Sequence, residues 1–129
     1  MGSKISTIVI DASDVDRLAT FWASVLRWEC RRDSDGDVVV ADPAQRSGFN
    51  LYVIQVPETK TVKNRVHIDL DPTGTDQAEE LERLLDLGAA RVDIGQGDRS
   101  WIVLADPEGN EFCLLARPPD VGEALSTSD

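Results

Sequence analysis

His67 is the only histidine in 129 residues, and that count bounds the chemistry. A Ser-His-Asp triad or a multi-histidine metal site within one subunit must use His67 or not exist. An imidazole can act near neutral pH as general base, proton carrier or metal ligand. Cys113 offers a thiol that would pair with His67 as a nucleophile, or act as a small buried hydrophobe. Glu111, two positions earlier, reads as a pocket acid, an anchor for a cationic ligand, or a carboxylate facing water. Asp69 alternates with His67 onto one strand face, where it can orient the imidazole. Trp101, alternating with Ile102 and Leu104, would give an aromatic wall suited to a planar or cationic ligand, or would pack between sheet and tail.

A repeat predicts the elements that position these groups. Thr7-Ile8-Val9-Ile10-Asp11 leads into a helix-like stretch, and His67-Ile68-Asp69-Leu70-Asp71 does the same sixty positions on. Val38-Val39-Val40-Ala41-Asp42-Pro43 recurs as Ile102-Val103-Leu104-Ala105-Asp106-Pro107 sixty-four positions on. Such self-similarity identifies the building unit. Each unit reads β-α-β-β-β. In the first, a strand over residues 5–11 precedes a helix with Ser13 at its N-cap and Val15, Leu18, Ala19, Trp22, Val25 and Leu26 on one stripe. Strands follow at Trp28–Arg32, Val38–Ala41 and Phe49–Val56. In the second, a strand Arg65–Leu70 precedes a helix capped by Thr75 and ended by Gly88. Strands follow at Ala90–Ile94, Ser100–Leu104 and Glu111–Leu115. Arg27 stands where the second unit has Gly88, so the two helix-ending turns are expected to differ.

Alternation places Ile8, Ile10, Val66, Ile68, Leu70, Phe112 and Leu114 under the helices. Thr7, Val9, Asp11, His67, Asp69, Glu111 and Cys113 fall on the opposite, mixed faces. The fold class expected is α+β, two βαβββ modules forming a cup-shaped mixed sheet with helices outside. A few polar groups on an apolar wall make a small-molecule pocket. Module one spans residues 5–57 and module two 63–116 of a single domain over 1–116, with a flexible tail at 117–129.

The net charge of -11 and pI near 4.4 repel phosphate backbones and anionic membrane surfaces, so neither nucleic acid nor membrane is an expected partner. No apolar run approaches the roughly 20 residues of a membrane span. No secretory leader is evident at the N-terminus. Cys30 and Cys113 make no Cys-x-x-Cys pair, which fits reduced thiols in a cytoplasmic protein.

Three segments carry a family resemblance: Ile8-Val9-Ile10-Asp11-Ala12-Ser13-Asp14 with Phe21-Trp22; Lys63 to Leu70; and Trp101 to Phe112 through Asp106-Pro107-Glu108-Gly109-Asn110. The chain resembles glyoxalase-like proteins of the vicinal-oxygen-chelate superfamily, over residues 5–116. The resemblance implies metal ligands on strands one, four, five and eight, usually His or Gln with Glu. Placed on this chain, those positions hold Thr7, Tyr52 (with Ile54 the other choice), His67 and Cys113. Only His67 is a usual ligand. No metal and no other cofactor is therefore expected, although His67 with Cys113, and Glu111 reaching in, could hold a soft ion. Tyr52 would donate a hydrogen bond where the family places a carboxylate. The resemblance also implies a homodimer.

The expected function is a small-molecule binding protein, metal-independent, sequestering a hydrophobic compound or antibiotic through Thr7, Val9, Tyr52, His67, Asp69, Trp101, Glu111 and Cys113. The alternative is a lyase, isomerase or hydrolase acting on a small oxygenated metabolite, with His67 as catalytic base or metal ligand. A third reading is a module whose only task is association.

Overall fold

A computed structural model describes residues 1–93, 95, 97, 99–117 and 121–125. The elements run β1 (Thr7–Ala12), α1 (Val15–Leu26), β2 (Glu29–Arg32), β3 (Val38–Ala41), β4 (Asn50–Gln55), β5 (Asp69–Leu70), α2 (Gln77–Leu87), β6 (Ala90–Arg91), β7 (Ile102–Ala105) and β8 (Glu111–Leu114). The α+β architecture of two βαβββ modules is the one the repeat predicts. The strands bond as two four-stranded sheets, ordered β1-β4-β3-β2 and β5-β8-β7-β6. Each is mixed: β1 runs parallel to β4 and β5 parallel to β8, and the remaining pairs are antiparallel.

The α1 stripe buries as its spacing predicts, with Leu18 and Trp22 essentially inaccessible. Phe21 joins them, set edge-on to Trp22 at 5.3 Å between ring centroids. One apolar cluster contains these residues, Val40, Leu51 and Val53 of the first sheet, Leu104, Phe112 and Leu114 of the second, and Leu84 of α2.

The helix caps differ from expectation by one residue. Asp14, not Ser13, caps α1 by accepting from the Arg17 N–H at 3.2 Å. Asp76, not Thr75, caps α2 by accepting from the Glu79 N–H at 2.9 Å. A carboxylate there both accepts the bond and opposes the positive end of the helix dipole. At the other ends Arg27 takes the left-handed conformation (φ 56°) beside Gly88 (φ 120°), so a non-glycine residue bears strain in the first module only.

The last turn of α1 holds no basic residue, and α2 supplies one. Arg83 donates to the Ser24 and Val25 carbonyls at 3.0 and 2.8 Å while its guanidinium grips Glu80. Those carbonyls would otherwise lack helical partners. Arg83→Met is expected to cost about 1–2 kcal/mol. Urea unfolding measures it, and an unchanged midpoint would remove this role.

Several strands are shorter than their sequence signals. β5 keeps two residues, so His67 precedes the ladder and Val66 is exposed rather than packed under a helix. The cause lies just upstream. Asn64 bonds to Glu111 through its backbone N–H and to Asn110 through its side chain, which draws the chain off the strand path. β6 ends at Arg91; Ile94 and part of the following turn lie outside the described residues, as do tail residues 118–120 and 126–129. No described helix is long and apolar enough to cross a membrane.

Candidate functional site

Between β1 and the segment that leads into β5 lies a cleft of about 390 Å³. Ile8, Val9 and Ile10 of β1 and Phe112 of β8 form its apolar walls, with Val66 and Ile68 opposite. Among the described residues β1 and β5 each bond to one strand and stand at the edges of their sheets. The connector after β4 folds over the cleft and contributes Glu58, Thr59 and Lys60.

Glu111 is one of two buried carboxylates here, with Asp106. It does not face water: its carboxylate meets Lys60 Nζ at 2.6 Å and accepts from the Asn64 N–H at 3.3 Å. Burial alone would raise its pKa. The Lys60 ammonium and the Asn64 N–H outweigh that and bring it below the usual carboxylate range.

A second group of polar atoms adjoins the cleft through His67. His67 Nδ1 stands 3.4 Å from Asp69 Oδ1. Cys113 lies opposite Asp69 in the parallel ladder. Ligand atoms of the three fall within 4.8 Å of one another. Cys113 is buried, and its thiol is pushed up to about 11, first by burial and then by the charge and hydrogen bond of Asp69. A thiol so held is a poor nucleophile, because the thiolate is the reactive form.

The other expected site residues lie apart. The Tyr52 hydroxyl donates to Asp33 in the β2–β3 hairpin, which pushes it up to about 12. Thr7 shares a hydroxyl contact of 3.4 Å with Ser6. Trp101 is half exposed and stacks under the Arg99 guanidinium at 5.7 Å. Of the eight residues expected around a ligand, Val9, His67 and Glu111 line the cleft; Thr7, Tyr52, Asp69, Trp101 and Cys113 do not.

Sequence reasoning gave no site role to Lys60, between the two modules, or to Asn64, within the Lys63–Leu70 segment. It also missed a bond that shapes the cleft floor. The buried Trp22 indole N–H donates to Asp106 Oδ2 at 2.9 Å. A signal existed, since a buried indole N–H requires an acceptor. Next to it Glu108 accepts from the Ser13 N–H (2.8 Å) and the Asp14 N–H (3.1 Å), so a turn of module two seals the start of α1.

Comparison with known proteins follows from this geometry. The profile described as a glyoxalase-like domain matches residues 7–115. The chain belongs to that family. No curated protein matches it in sequence. Among solved structures, this glyoxalase-like domain resembles the fosfomycin resistance protein FosX from Mesorhizobium loti at 17% identity and TM-score 0.68, covering 92% of this chain and 94% of that one. A FosX mutant from Listeria monocytogenes, crystallised with Mn(II) and 1S,2S-dihydroxypropylphosphonic acid, is 18% identical with TM-score 0.64 and 90% and 91% coverage. A glyoxalase/bleomycin resistance protein from Albidiferax ferrireducens T118 is 16% identical with TM-score 0.57 and 88% and 98% coverage. At such identities the likeness establishes fold, and function lies in the site.

The metal implied by such relatives can be tested on the donors present. The first-module positions fail: Thr7 and Tyr52 offer hydroxyls, and that of Tyr52 is committed to Asp33. The second module offers one nitrogen, one oxygen and one sulfur from His67, Asp69 and Cys113. That set suits a borderline-soft ion with an open position, such as zinc, but three ligands are the fewest such sites use.

Proposed function

We propose that this glyoxalase-like domain binds a small hydrophobic molecule in the cleft between β1 and the segment leading into β5 and needs no metal to do so. The observation that carries the reading is the cleft itself: apolar strands on its walls and one ion pair, Lys60–Glu111, already satisfied inside it. A pocket of that size, with apolar walls beside polar groups, suits a small organic ligand. Sequestration of such a compound, antibiotic or otherwise, requires no chemistry from His67. The edge strands β1 and β5, with Ile5, Val9, Val62 and Val66 exposed, support a homodimer. The unpaired cysteines support a cytoplasmic setting.

Nile red, a neutral apolar dye, is expected to bind once per chain, and Val9→Trp to abolish that by filling the cleft. Absence of binding to the wild type would overturn the reading.

A second reading is favoured by one observation, the convergence of His67, Asp69 and Cys113. In it these residues hold a divalent ion, which would polarise an oxygen of a small oxygenated metabolite, and the domain is a lyase, isomerase or hydrolase. Elemental analysis of untagged protein, with zinc titration of wild type and His67→Ala, separates the two. The metal-free reading expects substoichiometric metal in both. One zinc per chain, lost in the variant, would replace it with the enzyme.

A further inference from the structure

We infer that the cleft selects amphiphilic organic cations, an inference that rests on the cleft being a small-molecule site. Three carboxylates from three separate segments, Asp11, Glu58 and Glu108, line the cleft. Asp11 belongs to β1 itself. The Val56 N–H donates to the Ala12 carbonyl at 2.9 Å, which carries the connector and Glu58 alongside. Glu108 comes from the turn before β8, against Ser13 and Asp14.

Among the described residues, none of the three is in an ion pair. The lysine that lines the cleft is held 2.6 Å from Glu111 and is therefore committed elsewhere. The groups donating to Glu108 are neutral N–H and O–H, which spread its charge without cancelling it. Asp11 and Glu58 are exposed, so their pull on a cation is partly screened by solvent and salt, while the apolar walls beside them hold the ligand's body. A ligand with an ammonium or guanidinium head beside Asp11 and Glu58, and a flat apolar body along Ile8, Val9 and Phe112, matches both halves of the cleft. An anionic head on the same body meets repulsion.

Three probes of one body test this: 2-naphthylmethylammonium, 2-naphthalenemethanol and 2-naphthoate, each titrated calorimetrically. In about 20 mM salt the ammonium is expected to bind about tenfold more tightly than the alcohol, with the carboxylate weakest. In about 0.5 M salt the preference shrinks. The double substitution Asp11→Asn with Glu58→Gln is expected to bring the ammonium within about threefold of the alcohol while the alcohol's own affinity holds. Both residues are exposed, and neither supports a cap, so folding is retained. Equal binding of ammonium and alcohol by the wild type would overturn cation selectivity and leave the cleft reading standing. No binding of any probe, together with no uptake of Nile red, would overturn both.

Discussion

Trp22→Ala is expected to lower the unfolding free energy by about 3–5 kcal/mol, a large share of what a domain of this size possesses. The side chain is 1% exposed, the largest among the fully buried. It packs edge-on against Phe112 at 5.1 Å and against Phe21, so truncation opens a cavity at the junction of both modules. It also takes the indole N–H, at 2.9 Å, from buried Asp106 Oδ2, which is left with the Asn110 side-chain amide at 3.0 Å as its donor. Trp22→Phe separates the two costs. It keeps most of the packing and loses the bond, for about 1–3 kcal/mol. Asp106→Ala has a wider effect, because Oδ1 also accepts from the Glu108 and Asn110 N–H groups at 3.0 and 2.9 Å. Urea unfolding followed by circular dichroism gives these values. A loss below about 1 kcal/mol for Trp22→Ala would mean that this junction is not where the modules are held together.

Lys60→Met comes second, with an expected loss of about 2–4 kcal/mol at pH 7. Its partner Glu111 is 9% exposed at the side chain and would keep a charge with only the neutral backbone N–H groups of Asn64 and of Glu111 itself to support it. The pH dependence has a defined sign. In the wild type the folded carboxyl lies below its usual range, so its contribution is present at neutral pH and is lost as pH falls through that lowered value. In the variant burial dominates, the folded carboxyl titrates above its usual range, and the fold gains stability as pH falls. The gap between the two proteins therefore narrows from pH 7 to about pH 4. Unfolding curves across that range test it; a gap independent of pH would exclude Glu111 as the cause. Lys60→Met with Glu111→Leu is expected to recover most of the loss, since a buried pair replaced by apolar groups is often neutral.

What the sequence made legible divides along physical lines. The α1 stripe and the paired Ala-Asp-Pro turns are local patterns, and the structure follows them to within a residue or two. At α2 the Thr75 hydroxyl bonds to Glu79 and leaves the cap to Asp76; at α1 Ser13 is drawn to Glu108, a partner 95 residues away that no local pattern registers. The shortened β5 has the same origin in Asn64 and Glu111. Alternation put His67, Asp69, Glu111 and Cys113 on the mixed faces; His67 and Glu111 line the cleft, and Lys60 reaches Glu111 from the connector, which no alternation foresees. Tyr52 was misjudged because its hydroxyl found Asp33 within its own sheet. Side-chain pairings across long sequence separations decide the site, and they carry no periodicity.

The two Asp-Pro turns are equivalent in sequence but not in use. Asp42 is consumed by its own loop, accepting from Ala44, Arg46 and Ser47. Asp106 reaches beyond its loop to Trp22, 84 residues earlier, and neighbouring Glu108 does the same for Ser13. Order of synthesis then matters. At roughly 5–20 residues per second, a ribosome needs on the order of 5–20 s to bridge such a separation. Throughout that interval α1 has emerged without Glu108 at its start and without Phe112 over its indole. The first half of the repeat is thus an unfinished nascent chain: β3 and β4 can already cover part of the α1 stripe, but its Phe21 and Trp22 edge waits for Phe112, and that edge is the surface a chaperone would meet.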